Sequence, residues 1–328
     1  MASKKMWTLL VHLTKHWLYE QNDRMPMEQD FWDWTLESAA RSGFNTILVD
    51  LLDGVEYESH PEIAMPGAWS MDKFREELRK CRELGLTPIP KLNFSANHCR
   101  WLGPYKRMIS TDTYYQVVKD LIQEVYELFD HPAYIHIGMD EEDNEHANYD
   151  PDGYCMYRKG KLYWHDLRYI IDAVKATGAK PWLWYDTFIK DHDNFVSHVD
   201  VNEVLIAPWY YHHMKQEDFF PFTEFDFDLS EYAHLGLKYV EDIPHLKRYR
   251  DNILKWAEDG YRFTPCAWAL KKGNIAEQME YYHDGAPDGS FLGMIVSTWE
   301  TCVSKNRELF ESTFAQFAEA KQRLYPNH

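Results

Sequence analysis

Four carboxylates in a row, Asp140-Glu141-Glu142-Asp143, follow the alternating stretch Tyr134-Ile135-His136-Ile137 and a single Gly138. Apolar residues alternating about one histidine read as a short buried strand, and the glycine reads as its end. Neighbouring acids can divide proton work, because burial and mutual repulsion keep one protonated while the other stays ionised. Consecutive side chains of an extended strand point to opposite sides, so Asp140 and Glu141 share a pocket only if the chain turns after Gly138. The competing reading is a solvated acidic loop, and Glu142 and Asp143 are expected to be its water-facing part.

Such acids need a scaffold that delivers them. Apolar strands read at 6–13, 44–52, 86–94, 134–137, 180–186, 204–209, 261–268 and 292–299. Segments with helical spacing lie at 28–42, 70–84, 111–129, 164–176, 244–258, 275–282 and 307–325, and a short connection joins strands five and six. Strict alternation of strand and crossover implies parallel strands with right-handed connections. Eight such units predict an α/β chain folded as one (β/α)8 TIM barrel over residues 1–328. No Gly-rich phosphate loop follows the first strand, which argues against a dinucleotide-binding sheet. The aromatic, acidic insertion at 214–243, between strands six and seven, is read as a pocket lid or as a subunit contact in a homo-oligomer.

A formal charge of −18 argues against nucleic acid and anionic membranes as partners, since both need a basic footprint. Cys81, Cys99, Cys155, Cys266 and Cys302 are scattered, with no C-x-x-C pair. A disulfide framework and a zinc ribbon are therefore not expected, nor is any metal or cofactor. With no apolar signal or spanning run, a cytoplasmic setting is expected.

In a barrel, residues just past each strand converge on one mouth. Here they include His12, Lys15, Asp50, Asp53, Asn93, His98, Asp140, Glu141, Trp184, Asp186, Trp209, Tyr210, Tyr211, Trp268, Trp299 and Glu300. Tryptophans at four strand ends suit the flat C–H faces of a sugar, and acids beside them suit glycosidic cleavage. That reaction needs a proton donor for the leaving oxygen and a stabiliser for positive charge at the anomeric carbon.

The stretch His136-Ile137-Gly138-Met139-Asp140-Glu141 resembles the H-x-G-x-D-E signature of family-20 glycoside hydrolases, the β-N-acetylhexosaminidases. Residues 9–17, 45–53, 90–98, 180–186 and the closing Ser297-Thr298-Trp299-Glu300 resemble other strands of that family's barrel, including its final W-(S/T)-E. The resemblance implies retaining hydrolysis in which the sugar's own 2-acetamido oxygen is the nucleophile. It implies that Asp140 orients the acetamido N–H and Glu141 acts as acid and then base. Trp184, Trp209 and Trp299 would wall the pocket, Glu300 would bind distal hydroxyls, and His98 and His136 would support the acids. Lys15, Asp53, Asp186, Tyr210, Tyr211 and Trp268 complete the expected substrate contacts, and the partner would be an amino-sugar glycan or glycoconjugate.

Departures from the family pattern are visible. Lys15 stands in place of a sugar-binding arginine, a point charge instead of a planar fork. His12 replaces an aspartate, Asp50 replaces a histidine, and Trp268 stands where the family's pocket tyrosine is sought, leaving Tyr210 or Tyr211 to substitute. The small α/β domain common before the family's barrel has no counterpart in these residues. Alternative readings are a catalytically weak or silent sugar-binding barrel, a glycosidase of non-acetamido sugars using Glu141 and Glu300, and a metal hydrolase built from Glu142, Asp143, Glu145, His146, His212 and His213.

Overall fold

Eight short strands place almost every side chain out of water, so each must find apolar cover on both faces. A computed structural model describes residues 5–16, 22–142, 156–186, 192–211, 214 and 243–326. Among them the strands are β1 (Met6–His12), β2 (Thr46–Asp50), β3 (Thr87–Lys91), β4 (Tyr134–His136), β5 (Lys180–Trp184), β6 (Leu205–Ala207), β7 (Cys266–Trp268) and β8 (Gly293–Thr301). The helices are α1 (Gln29–Arg41), α2 (Met71–Glu83), α3 (Asp112–Leu128), α4 (Lys161–Thr177), α5 (His192–His198), α6 (Ile243–Glu258), α7 (Asn274–Gly285) and α8 (Arg307–Leu324). The chain is a (β/α)8 barrel, as its alternation predicts. One connection differs: α5 occupies the stretch expected to be a plain link between β5 and β6. Its seven residues bury only Phe195, too little to show a helical period.

The strands are parallel, in the order β6-β5-β4-β3-β2-β1-β8-β7. The seam between β6 and β7 closes through single bridges, Ile206 to Phe263 and Trp209 to Cys266. Thr264 N donates to Ile206 O at 3.0 Å and Cys266 N to Pro208 O at 2.7 Å across it. Leu10, Leu48, Ile89, Trp182, Leu205, Cys266 and Ile295 fill the interior. The alternate residues, such as Leu9, Val11, Ile47 and Val49, pack outward with the helices. Side chains repeat every second residue, so the interior positions above Leu10, Leu48 and Ile89 are His12, Asp50 and Lys91. These three pair in register, and Lys91 pairs onward with His136. A polar layer thus lies directly above an apolar one.

β8 carries a second positional device. Leu10 pairs with Ser297 but His12 pairs with Thr301, so β8 holds two more residues than β1 across that interval. Bulges of this kind re-aim side chains next to active sites. Trp299 adopts φ 57°, unusual for a bulky residue, and Ser297 Oγ accepts from its N–H at 3.0 Å. Thr298 Oγ1 accepts from Glu300 N at 3.1 Å.

The helices dock by burying one face and by a few specific bonds. Trp32 Nε1 on α1 donates to the buried Glu77 carboxylate on α2 at 2.8 Å. Thr111 caps α3 by accepting from Tyr114 N at 3.3 Å. Cys81, Cys266 and Cys302 are buried free thiols. Among the described residues no helix is long and apolar enough to cross a membrane. Most of the insertion, 215–242, lies outside the described residues, as do Asp143, Glu145, His146, His212 and His213.

The β1–β8 seam depends on Gly293. Its φ is 133°, and a Cβ there would lie 2.0 Å from Met6 O. Gly293→Ala is expected to cost about 2–4 kcal/mol of stability, from backbone strain plus forced separation of the two strands. Urea unfolding followed by tryptophan fluorescence measures it.

Candidate active site

β4 stops at His136, and the chain then turns through left-handed backbone. φ is 72° at Gly138, 68° at Met139 and 53° at Glu141. A Cβ on Gly138 would lie 2.1 Å from Asn93 Oδ1, so only glycine lets β4 end this close to β3. Neighbouring strand ends hold the turn. Trp184 N donates to Gly138 O at 3.0 Å, Ser95 Oγ to Asp140 O at 2.5 Å, and Asn97 Nδ2 to Glu141 O. Glu141 N donates to Asp186 Oδ2 at 3.3 Å. Asp140 and Glu141 therefore both line one pocket, the arrangement for which the sequence required a turn.

That pocket encloses about 700 Å³ of empty space, part of it open to solvent. Lys91, Asn93, His98, Asp140, Glu141, Trp184, Trp209, Tyr211 and Trp299 line it. His98 Nε2 lies 3.0 Å from Glu141 Oε2 and 3.6 Å from Asp140 Oδ2, so one imidazole faces both acids. Asn93 Nδ2 donates to Asp140 Oδ1 at 2.8 Å. The Trp209 and Tyr211 rings stack at 5.4 Å, and Trp184 and Trp299 meet at 5.9 Å. Trp209 Nε1 donates to Asp186 Oδ1 at 2.8 Å, so Asp186 ties an aromatic wall to the Glu141 backbone.

The polar layer forms the pocket floor. Lys91 Nζ lies 2.8 Å from Asp50 Oδ1, and His12 Nδ1 lies 2.9 Å from Asp50 Oδ2. Burial alone would raise the Asp50 pKa, but the Lys91 charge and the His12 bond outweigh it and hold it below its ordinary value. Burial pushes His12 down and, with the Lys91 charge, pushes His136 well below its ordinary value. His136 Nδ1 accepts from Gly138 N at 3.1 Å, so a neutral ring fixes the start of the turn. Asp140 is raised above its ordinary value: burial and the Glu141 charge outweigh His98, Lys91 and Asn93. Burial keeps the Tyr211 phenol protonated, its pKa well above the ordinary value, with Cys266 and Glu141 adding to the effect.

The other expected contacts are distributed unevenly. His98, Trp184, Trp209, Tyr211 and Trp299 line the pocket; Asp186 and His136 brace it from behind. Tyr210 packs its ring into the core, where its carbonyl accepts from Asn274 and Gln278. Trp268 backs Tyr211, ring centroids 5.5 Å apart, and is not a lining residue. Lys15 Nζ donates to Glu300 Oε1 at 3.0 Å, joining the β1 and β8 ends beside the pocket. Asp53 accepts from Thr14 Oγ1 at 2.8 Å and pairs with His16.

Glu142 corrects an expectation. Its side chain is 3% exposed and paired with Arg158, so it is not part of a water-facing run. Lys91 and Arg158 are the residues that sequence reading passes over. A lysine inside Leu86–Phe94 is the only trace of the former, since a charge within an apolar strand must find a buried partner. One ligand atom from each of His98, Asp140 and Glu141 falls within 4.8 Å of the others, a spacing that would also admit a cation. Glu142, the one described member of the metal-hydrolase set, turns to Arg158 instead.

The Asp140 shift has a stability consequence. Below the ordinary value of 3.8 the group is protonated in both folded and unfolded chains and contributes nothing. Above it the unfolded chain ionises more readily, so the folded state is penalised as pH rises through the raised folded pKa. Asp140→Asn, which keeps an acceptor for Asn93, is expected to raise Tm by a few degrees at pH 7. The gain should vanish at the acid end of a thermal-unfolding series.

The model of the glycosyl hydrolase family 20 catalytic domain matches residues 56–321. No protein of curated function matches the chain in sequence. Among solved structures, the β-N-acetylhexosaminidase of Bacteroides fragilis superposes with a TM-score of 0.62 at 15% identity, covering 96% of this chain and 65% of that one. The exo β-N-acetylglucosaminidase of Vibrio harveyi, in complex with N-acetylglucosamine, gives 0.61 at 15% identity, with 97% and 54% covered. A Streptomyces plicatus β-hexosaminidase in complex with product GlcNAc gives 0.62 at 13% identity, with 97% and 63% covered. The chain spans less than two thirds of the length of these proteins. At these identities the superpositions establish the barrel, while the sequence model covers most of the chain and the Asp140–Glu141 turn; the chain belongs to glycosyl hydrolase family 20 as a catalytic domain.

Proposed function

We propose that this chain removes a terminal β-linked N-acetylhexosamine from a glycan or glycoconjugate, with retention, using the substrate's 2-acetamido oxygen as nucleophile. The observation that carries the reading is that Asp140 and Glu141 are the only carboxylates lining the pocket among the described residues. Both face the same imidazole, His98. A two-carboxylate retaining scheme needs a nucleophile and an acid flanking the glycosidic bond about 5–5.5 Å apart. Glu300, the second carboxylate of that scheme, is paired with Lys15 and does not line the pocket. In the reading proposed here the nucleophile comes with the sugar, and Asp140 serves the acetamido group instead of attacking the anomeric carbon.

Protonated Glu141 gives its proton to the glycosidic oxygen as the bond to the anomeric carbon breaks and the acetamido oxygen closes on that carbon. The resulting oxazolinium carries positive charge beside Asp140, whose carboxylate accepts the acetamido N–H. Glu141, now ionised, takes a proton from water as it adds to the same carbon, reopening the ring with the β configuration restored. His98 holds the Glu141 carboxylate through both transfers. The four aromatic walls exclude water from the acetamido group and strengthen each charge interaction. Protonated Tyr211 takes the part of the pocket tyrosine that the family resemblance implies.

The raised Asp140 pKa sets the acid side of the rate profile. The active form has Asp140 ionised while Glu141 carries the proton it donates. The acid limb should lie above the ordinary aspartate range and disappear in Asp140→Asn. The decisive measurement is release of an aryl alcohol from an aryl 2-acetamido-2-deoxy-β-glycoside. Glu141→Gln should lower kcat/KM about 10²–10⁴-fold, the usual weight of a general acid. A thiazoline mimic of the cyclic intermediate should inhibit, the matching glucoside should be inert, and chelator should have no effect. Sugar binding without turnover by the unaltered chain would refute hydrolysis in favour of a silent binding barrel.

A further inference from the structure

Beneath the catalytic turn lies a second ionic assembly that the reaction above does not use. The Glu142 carboxylate accepts from Ala96 N at 2.7 Å, from Arg158 N at 2.8 Å and from Arg158 Nε at 3.0 Å. Arg158 Nη1 donates to Asp166 Oδ2 on α4 at 3.0 Å, and Nη2 donates to Phe94 O at 2.7 Å. Asp166 also accepts from Ser110 Oγ at 2.6 Å and from Tyr115 OH on α3 at 2.5 Å. Side-chain exposures are 1% for Arg158, 3% for Glu142 and 0% for Asp166.

One guanidinium therefore grips two strand ends at once. Phe94 and Ala96 belong to the segment after β3 that carries Asn93 and His98. Glu142 is the residue after Glu141, whose left-handed φ of 53° a non-glycine residue adopts only under constraint. The cage anchors the residue next to Glu141, whose Oε2 lies 3.0 Å from His98 Nε2. A planar fork anchored on the outer helices is suited to this, because it fixes direction as well as distance.

We propose that Arg158 and Glu142 are positioning residues that hold Glu141 against His98 in the orientation proton transfer needs. The proposal rests on the reading of Glu141 as the acid. Neither side chain lines the pocket, so their effect on the reaction passes through Glu141.

The test compares two glycosides of the same sugar in Glu142→Gln, which keeps an acceptor for Ala96 N but loses the ionic grip. Arg158→Met is the stronger variant, and where it fails to fold Glu142→Gln carries the test. An alkyl leaving group needs protonation and a dinitrophenolate does not. Mispositioning should lower kcat for the alkyl glycoside about tenfold or more, with KM and the dinitrophenyl rate nearly unchanged. The ¹⁵N signal of the His98 imidazole should shift, reporting its weakened bond to Glu141. Equal losses on both glycosides, or an unmoved His98 signal in a folded variant, overturn the proposal. If the unaltered chain hydrolyses neither glycoside, the functional reading fails by itself, and the His98 signal still decides whether the clamp exists.

Discussion

Consecutive residues on a strand face opposite ways, and the site depends on breaking that rule at one point. Gly138 makes the break, because nothing larger fits against Asn93. Met139 and Glu141 then sustain left-handed backbone that they would not adopt alone. The surrounding bonds to Ser95, Asn97, Trp184 and Asp186 come from the segments after β3 and from β5 and its end. Strain at one strand end is thus held in place by its neighbours, as is common where geometry serves chemistry.

A similar logic operates on β8. Two additional residues there would ordinarily spoil a parallel seam, yet the ladder to β1 resumes at His12 and Thr301. The displaced residues are Trp299, which lines the pocket and stacks on His12 at 5.5 Å, and Glu300, which pairs with Lys15. The irregular residues of both β4 and β8 lie on the pocket side of the barrel, while the opposite ends of the strands keep regular register.

The barrel was legible because strands covered on both faces read as unbroken apolar runs, and the intervening helices carry a clear period. Residues 192–198 have no such period, because Phe195 is all they bury. Convergence at the strand ends was legible for Asp140, Glu141, His98, Trp184, Trp209 and Trp299. What the pattern could not supply was direction. Tyr210 and Tyr211 are adjacent, and only the fold decides that Tyr211 enters the pocket while Tyr210 enters the core. Long-range pairing was equally hidden: Lys91 meets Asp50 across β2 and β3, and Glu142 in an acidic run gives no sign of Arg158 beyond it.

The floor of the pocket has a further meaning for anyone reading protons in this protein. Its layer holds Lys91 and Asp50 as opposite charges and His12 and His136 as rings whose basicity is suppressed. The charges of Lys91 and Asp50 oppose each other, and burial lowers the basicity of both imidazoles, that of His136 well below its ordinary value. Two histidines stacked under a pair of acids would ordinarily add their own titrations to any measurement made there. Here both are weakened as bases, so the positive charge in the floor is that of Lys91, with Asp50 beside it as its counter-charge.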